Sequence, residues 1–314
     1  MRLARIVALA TGPGVDSGAS VEDNQQTMLY WLEESAKLRP DFVCFSEIAL
    51  HLGLTPAERL IKAETVPGAS TSKVAEYAKK LNTYVIWTLI EQDGNRFYNT
   101  AVLISRTGQI IGRYRKFQPT SYEMADGISP GTEVPVWPTD FGRVGAATCF
   151  DIKFPAMGLA LSRGQANIVF WPSMFMGGLR LNSWSRDYGF HMVACYAGGC
   201  TIVASNGRDV FRKDQDQPFP PEKGLSASAF AQFNTDCKTY HLDYNQHKLP
   251  TIKDKYGEGV DICYCRDEAT FVLSSKMADR SVEDIEQEFE LEDLRSYLDK
   301  TENLSKVNRH GKNI

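Results

Sequence analysis

Read as a pattern of apolar and polar positions, the chain alternates short apolar runs with stretches that repeat at helical spacing. LARIVALA (3–10) predicts a first core strand. Ser20, with Asp23 three residues on, starts a helix over 21–38 on which Met28, Leu29, Leu32 and Ala36 share a face, and Pro40 closes it. DFVCFSE (41–47) predicts a strand buried on both faces, with Glu47 at its C-terminal end. Ser70 or Thr71 caps a second helix, which carries Val74, Tyr77, Ala78 and Leu81 along one side. TYVIWTLI, FYNTAVLIS and QIIGRYRK, separated by DGN and RTG turns, predict three successive strands, the last ending at Lys116.

A loop holding Pro119, Glu123, Gly127, Pro130 and Gly131 leads to a small-residue strand at Val144, Ala146 and Ala147, then to Cys149. Pro155 suits the first turn of the helix that follows (155–163), and Gly164 stops it. ANIVFWPS predicts another buried strand. Trp184, Tyr188, His191 and Cys195 then fall on one side of a helix expected to run to Gly198 and Gly199, with TIVASN as the next strand. Residues 209–224 form a polar, proline-rich loop, an insertion or a lid. Strand-like pieces follow at 225–233 and 260–273. From Ser281 the pattern is an acidic amphipathic helix, and the last residues are polar enough for a mobile or partner-docked tail. The alternation predicts an α/β fold with one domain over 1–280 and a C-terminal helix and tail over 281–314.

Composition narrows this picture. The formal charge is −4, from 35 basic and 39 acidic residues spread along the 314 positions, so neither a nucleic acid nor an anionic membrane is the expected partner. Seven cysteines, at 44, 149, 195, 200, 237, 263 and 265, make no CxxC pair, and an odd number does not complete a disulfide framework. A reducing cytosol is the expected compartment. Cys263 and Cys265, with Cys237, lack the neighbouring histidines of a closed zinc site, so no metal is expected. Gly12, Gly14 and Gly18 miss the GxGxxG spacing, and no nucleotide cofactor is expected either. No apolar stretch approaches the roughly 20 residues that span a bilayer.

Three reactive side chains occupy equivalent places. Glu47, Lys116 and Cys149 each end a predicted strand, and in open α/β sheets those ends line the ligand crevice. The turn at Cys149 holds its side chain up, and the helix after it favours an anion, so the thiol is expected to ionise below its free value. Alone, the cysteine fits a nucleophile or a small buried hydrophobe. Beside a carboxylate that takes its proton and an ammonium that steadies an oxyanion, it reads as a nucleophile without histidine. His51 and His191 read as packing residues.

The contexts FSE (45–47), GRYRKFQP (112–119) and GAATCFDIKFP (145–155) resemble those of the nitrilase, or carbon-nitrogen hydrolase, superfamily, in the same order and with spacings of 69 and 33 residues. The likeness runs from the first strand to SNG (205–207) and weakens afterwards. It implies a four-layer αββα sandwich with the site at one end, in homodimers or larger homo-oligomers packed helix layer to helix layer. It also implies Glu47 as general base, Lys116 as electrostatic stabiliser, Cys149 as the nucleophile of a thioester intermediate, and Glu123 as a second glutamate positioning lysine or substrate. The Phe150 backbone amide would complete the oxyanion hole. Ser173, Met174 and Phe175, after the next strand, would border the pocket. CFD (149–151) is closer to the amidase-type CYD than to the CWE of nitrilases, which favours a small amide or carbamoyl substrate over a nitrile. Lys153 and Ala156 stand where an arginine and a glutamate are frequent. A transferase passing the same thioester to another acceptor shares every one of these features.

Overall fold

The computed structural model describes residues 1–11, 20–212 and 217–310. Gly12, Gly14 and Gly18, residues 213–216 of the expected lid, and the last four residues of the tail lie outside them. The chain opens with β1 (Leu3–Thr11), nearly every residue of which is buried. Helix α1 (Val21–Ser35) starts where expected: the Ser20 hydroxyl accepts from the Asp23 amide, and the Asp23 carboxylate accepts from the Ser20 amide. Its last turn tightens to a 3₁₀ turn over Ala36–Leu38. β2 (Phe42–Phe45) is buried throughout. A second capping box, Thr55 with Glu58 and Pro56 at the first helical position, builds the short α2 (Pro56–Ile61).

Helix α3 (Ala69–Leu81) precedes a meander of β3 (Tyr84–Asp93), β4 (Arg96–Ile104) and β5 (Ile110–Arg115). The loop holding Glu123 contains α4 (Ser121–Ala125), nucleated by a third capping box, Thr120 with Glu123. Next come β6 (Val136–Thr139), β7 (Gly142–Ala146), α5 (Pro155–Arg163), β8 (Ile168–Ser173) and α6 (Leu179–Tyr188). Helix α6 ends at Gly189 in the left-handed region (φ +74°), its amide bonded to the Ser185 carbonyl. The helix expected through His191 and Cys195 is therefore a strand hairpin, β9 (His191–Tyr196) and β10 (Gly199–Val203), turning at Ala197–Gly198. An apolar run of this length fits either structure, and the pairing of β9 with β8 and β10 decides it.

The chain continues with β11 (Asp209–Arg212), β12 (Leu225–Asn234), β13 (Cys237–His241), α7 (Leu249–Tyr256), β14 (Val260–Cys265), β15 (Thr270–Ser275), α8 (Val282–Glu288) and α9 (Leu294–His310). Residues 209–212 of the expected lid are thus a sheet edge, and Phe219 is buried against α1 through Trp31. The expected single acidic helix is two helices, and residues 300–310, expected as part of a polar tail, continue the second of them.

Two six-stranded sheets, ordered β12-β1-β2-β3-β4-β5 and β11-β10-β9-β8-β7-β6, carry the fold. One face of the first sheet packs on the second: Ile6, Cys44, Ile86 and Ala229 share a core with Ala146, Phe170, Val193 and Ile202. The other face, through Val7, Val43, Val85 and Val102, covers Met28 and Leu32 of α1 and Val74 and Ala78 of α3. Met157 and Leu161 of α5 and Leu181 and Trp184 of α6 cover the second sheet. The order is helix, sheet, sheet, helix, the αββα sandwich. Gly145 lets α5 close on β7, since a Cβ there would lie 2.5 Å from Leu161. At the C-terminal end, β13, β15 and β14 form a small antiparallel sheet, and residues on both sides of position 281, among them Tyr240, Phe271, Val282 and Ile285, share one core.

Candidate active site

The strand ends of the two sheets meet over a cavity of about 220 Å³. Glu47 lies two residues beyond β2, in a turn pinned from three sides. Ser46 and Thr11 share a side-chain hydrogen bond of 2.6 Å, the Thr88 hydroxyl donates to the Ser46 carbonyl, and the same hydroxyl accepts from the Ala49 amide at 3.0 Å. Ile48 sits at φ +45°, a strained setting for a β-branched residue, held by those contacts. Lys116 follows β5 directly: its amide donates to the Asn99 carbonyl at 2.8 Å, and its carbonyl accepts from Gly131 at 2.9 Å.

The Lys116 ammonium donates to Glu47 Oε1 at 2.9 Å and to the two Glu123 oxygens at 3.0 and 2.8 Å. Asn99 Nδ2 donates to Glu47 Oε1 at 2.7 Å and Glu123 Oε1 at 3.0 Å. Glu123 also accepts from the Thr120 amide at 2.8 Å, so one carboxylate both caps α4 and pairs with the lysine. Two carboxylates share one ammonium and one amide in a buried setting, where a missing partner costs far more than at the surface. Burial pulls the Lys116 ammonium down, but Glu47, Cys149 and Glu123 outweigh it and hold its affinity for the proton above the ordinary lysine range. For Glu123, burial pushes upward and Lys116 pulls harder downward, leaving it below the usual carboxylate range. Glu47 Oε2 is buried with no hydrogen-bond partner.

Cys149 takes φ +50°, a left-handed turn that presents its side chain to the cavity between β7 and the 3₁₀ turn Cys149–Lys153. Trp171 Nε1 holds its carbonyl at 3.1 Å. Asp151 ties this turn to the strand of Lys116: it accepts from the Thr148 amide (2.7 Å), the Gln118 amide (2.8 Å) and the Tyr114 hydroxyl (2.6 Å). The expected acidic thiol is not what the site builds. Burial first, and then the Glu47 charge, push the Cys149 thiol up to about 12, against the pull of Lys116, the Met174 amide and Ser173. The short 3₁₀ turn offers too little aligned backbone to offset that burial. Cys149 therefore needs a proton acceptor at the moment of attack.

Glu47, Lys116, Glu123 and Cys149, predicted from three separated stretches, line one cavity. Of the three residues expected to border it, Met174 does so. Ser173 is fully buried beside the Cys149 thiol, its hydroxyl donating to the Phe175 carbonyl at 2.8 Å, and Phe175 packs edge-on to Trp171. Phe150, half-buried, packs edge-on to Phe154. His51 is structural: its Nδ1 accepts from the Ile90 amide (3.2 Å), which leaves Nε2 to donate to the Lys62 carbonyl (3.0 Å). Burial and the nearby Arg59 help keep it neutral, down to about 4. Among the described residues no group of three His, Cys, Asp or Glu is placed to hold a metal ion, and no helix is long and apolar enough to cross a membrane.

Two contributors escaped the sequence reading. Asn99, a polar residue facing inward in the apolar strand FYNTAVLIS, bridges both glutamates. Arg59 and Leu60 reach the cavity from α2, whose start was written in TPAE (55–58) as a capping box. An Asn99→Leu variant should lose activity by about 10- to 100-fold, because a buried carboxylate loses a charge-assisted hydrogen bond worth roughly 1.5–3 kcal/mol. Steady-state kinetics beside a urea melt separates this from a folding defect.

Both the sequence and the fold have known relatives. The family described as Carbon-nitrogen hydrolase matches residues 6–216. Nitrilase 2 of Arabidopsis thaliana is 41% identical over 97 residues, 31% of this chain and 29% of that protein. The bifunctional nitrilase/nitrile hydratase NIT4A of Nicotiana tabacum is 30% identical over 166 residues, 52% of this chain and 44% of that protein. The chain thus spans less than half the length of these curated relatives. In three dimensions it is similar to Nit3 of Saccharomyces cerevisiae, a member of branch 10 of the nitrilase superfamily (TM-score 0.63, 16% identity, 82% of this chain and 95% of that one). It is likewise similar to an amidase from Nesterenkonia sp. (TM-score 0.62, 17% identity, 81% and 96%).

Proposed function

The chain belongs to the carbon-nitrogen hydrolase family, and from that premise we propose that it hydrolyses a small non-peptide amide or carbamoyl compound through a thioester on Cys149. The observation that carries the reading is Cys149 in one cavity with a buried, unpartnered Glu47 oxygen and the Lys116 ammonium. Glu47 accepts the thiol proton as Cys149 Sγ bonds to the carbonyl carbon. The carbonyl oxygen becomes an oxyanion, stabilised by Lys116 and the Phe150 backbone amide. Collapse breaks the carbon–nitrogen bond, the leaving nitrogen takes the proton from Glu47, and ammonia or an amine departs. Water then adds to the thioester, giving its proton to Glu47, and the Cys149 thiol reforms as the acid is released. Glu123, locked to α4 and to Lys116, positions the ammonium rather than exchanging protons.

A second reading, hydrolysis of a nitrile, is favoured by the alignments with plant nitrilases. There the thiol adds to the nitrile carbon, and a first water with loss of ammonia gives the same thioester. Incubation with a panel of small amides, carbamoyl amino acids and nitriles, following ammonia and intact mass, tests both. Ammonia release from amides with an acyl adduct on Cys149 is the expected result. Turnover of nitriles alone moves the assignment to the second reading, and no adduct with any member of the panel overturns both.

A further inference from the structure

Arg59 is a cation of the cavity wall that the proposed chemistry leaves unused. It enters from α2 beside Pro56 and Leu60, and the rest of the wall near it is apolar, with Ile48, Ile90 and Ile128. Its Nε is buried and has no hydrogen-bond partner, and among the described residues no carboxylate comes within the 4.0 Å of an ion pair. Arginine keeps its charge in proteins, so this guanidinium faces the cavity as a cation. Leaving a buried charged donor unpaired is costly, and an acceptor that enters with the ligand removes that cost. The acidic residues it senses are otherwise engaged: Glu47 and Glu123 are held by Lys116 and Asn99, and Asp126 is exposed at the rim.

The position of Arg59 is built, not incidental. Its helix is fixed at the start by the Thr55–Glu58 box. At the far end, the Lys62 carbonyl is held by His51, and the Glu64 amide and carbonyl bond to Ile90 and Gln92 at 3.2 and 2.7 Å. The floor of the cavity carries Cys149 and Lys116, so a ligand with its reacting carbon there presents its other end to α2. A cavity of about 220 Å³ suits a small ligand.

We infer that Arg59 is a specificity residue that binds a carboxylate at the end of the substrate remote from Cys149, so that the preferred substrate is a short anionic amide. This rests on the cavity being the substrate site of the hydrolase proposed above. A planar, forked guanidinium donates to both carboxylate oxygens at once, which an ammonium at the same place does not reproduce.

The test uses matched pairs that differ only in the terminal group: succinamic acid against butyramide, and glutaramic acid against valeramide. The 314-residue protein should favour the acid of at least one pair in kcat/KM by about 10- to 100-fold, the worth of a charge-assisted hydrogen bond. Arg59→Leu should bring that ratio to near or below one, chiefly through KM, and Arg59→Lys should restore only part of it. Binding of the same four compounds to the Cys149→Ala protein, with and without Arg59→Leu, is measured by titration calorimetry and needs no turnover. An Arg59-dependent preference for the acid in binding, with no hydrolysis of the four compounds by the protein that keeps Cys149, upholds a carboxylate site at Arg59 but overturns its role as a specificity residue for these amides, and the hydrolase reading is then decided by the wider panel. Turnover with no preference for either acid, or a preference that survives Arg59→Leu in a folded protein, overturns this inference and leaves the hydrolase reading intact.

Discussion

Lys116→Ala should cost about 3–5 kcal/mol of stability and all detectable turnover, the larger structural effect expected from any single change at this site. The lysine is almost fully buried and is the only cation hydrogen-bonded to either glutamate among the described residues. Without it, Glu47 and Glu123 face each other across one Asn99 amide. Two carboxylates so placed cannot both stay ionised, and one of them takes up a proton. The sign follows from linkage. The folded variant then binds more protons than the unfolded chain, so its stability rises as pH falls. Urea melts of the wild type and the variant should therefore differ most near pH 8 and converge toward pH 5.5. Lys116→Met, which keeps most of the side-chain volume, should show the same convergence, so the effect is one of charge and not of a cavity. A variant as stable as wild type at pH 8 would mean that the three charged groups are not coupled as their distances require.

Cys149→Ala should lower ammonia release by at least about four orders of magnitude, the scale on which removal of a nucleophile acts. It should leave the fold intact, with Tm within about 3 °C, because alanine fits where a small, mostly buried side chain stood. Wild-type reactivity carries the second half of this prediction. With the thiol pushed up to about 12, almost none of it is thiolate at neutral pH, and the thiolate is the nucleophile. Alkylation of Cys149 by iodoacetamide, followed by mass, should climb with pH through 7 to 10 without levelling off. A plateau below pH 9 would mean a preformed thiolate and would remove the need for Glu47 as base.

The residues of the site were legible for different reasons. Glu47, Lys116 and Cys149 stand at strand ends in an alternating pattern, and strand ends are what an α/β sheet turns toward a ligand. Glu123 and Arg59 sit on helices of five and six residues, too short for periodicity to reveal. The structure shows that each begins at a T-x-x-E capping box, a signal that the sequence holds and that the predicted elements do not include. The run from His191 to Tyr196 went the other way. It was assigned to a helix because an apolar stretch of six residues suits either structure, and Gly189 carried the stop signal that mattered.

The sequence by itself determined the α/β alternation, the positions of the reacting groups along the chain and the start of α1 at Ser20, because each depends on local spacing and on hydrogen bonds within a few residues. Helix α3 is capped at Gly68 and not at the expected Ser70 or Thr71. Tertiary structure alone decided that Asn99 joins the two glutamates, that Met174 lines the cavity while Ser173 is buried beside Cys149 and Phe175 packs on Trp171, and that Arg59 faces the cavity unpaired. It also reversed the expected acidity of Cys149. Helix-end electrostatics is a local property and pointed toward an easy thiolate, whereas desolvation depends on everything packed around the sulfur, and only the assembled sandwich supplies that.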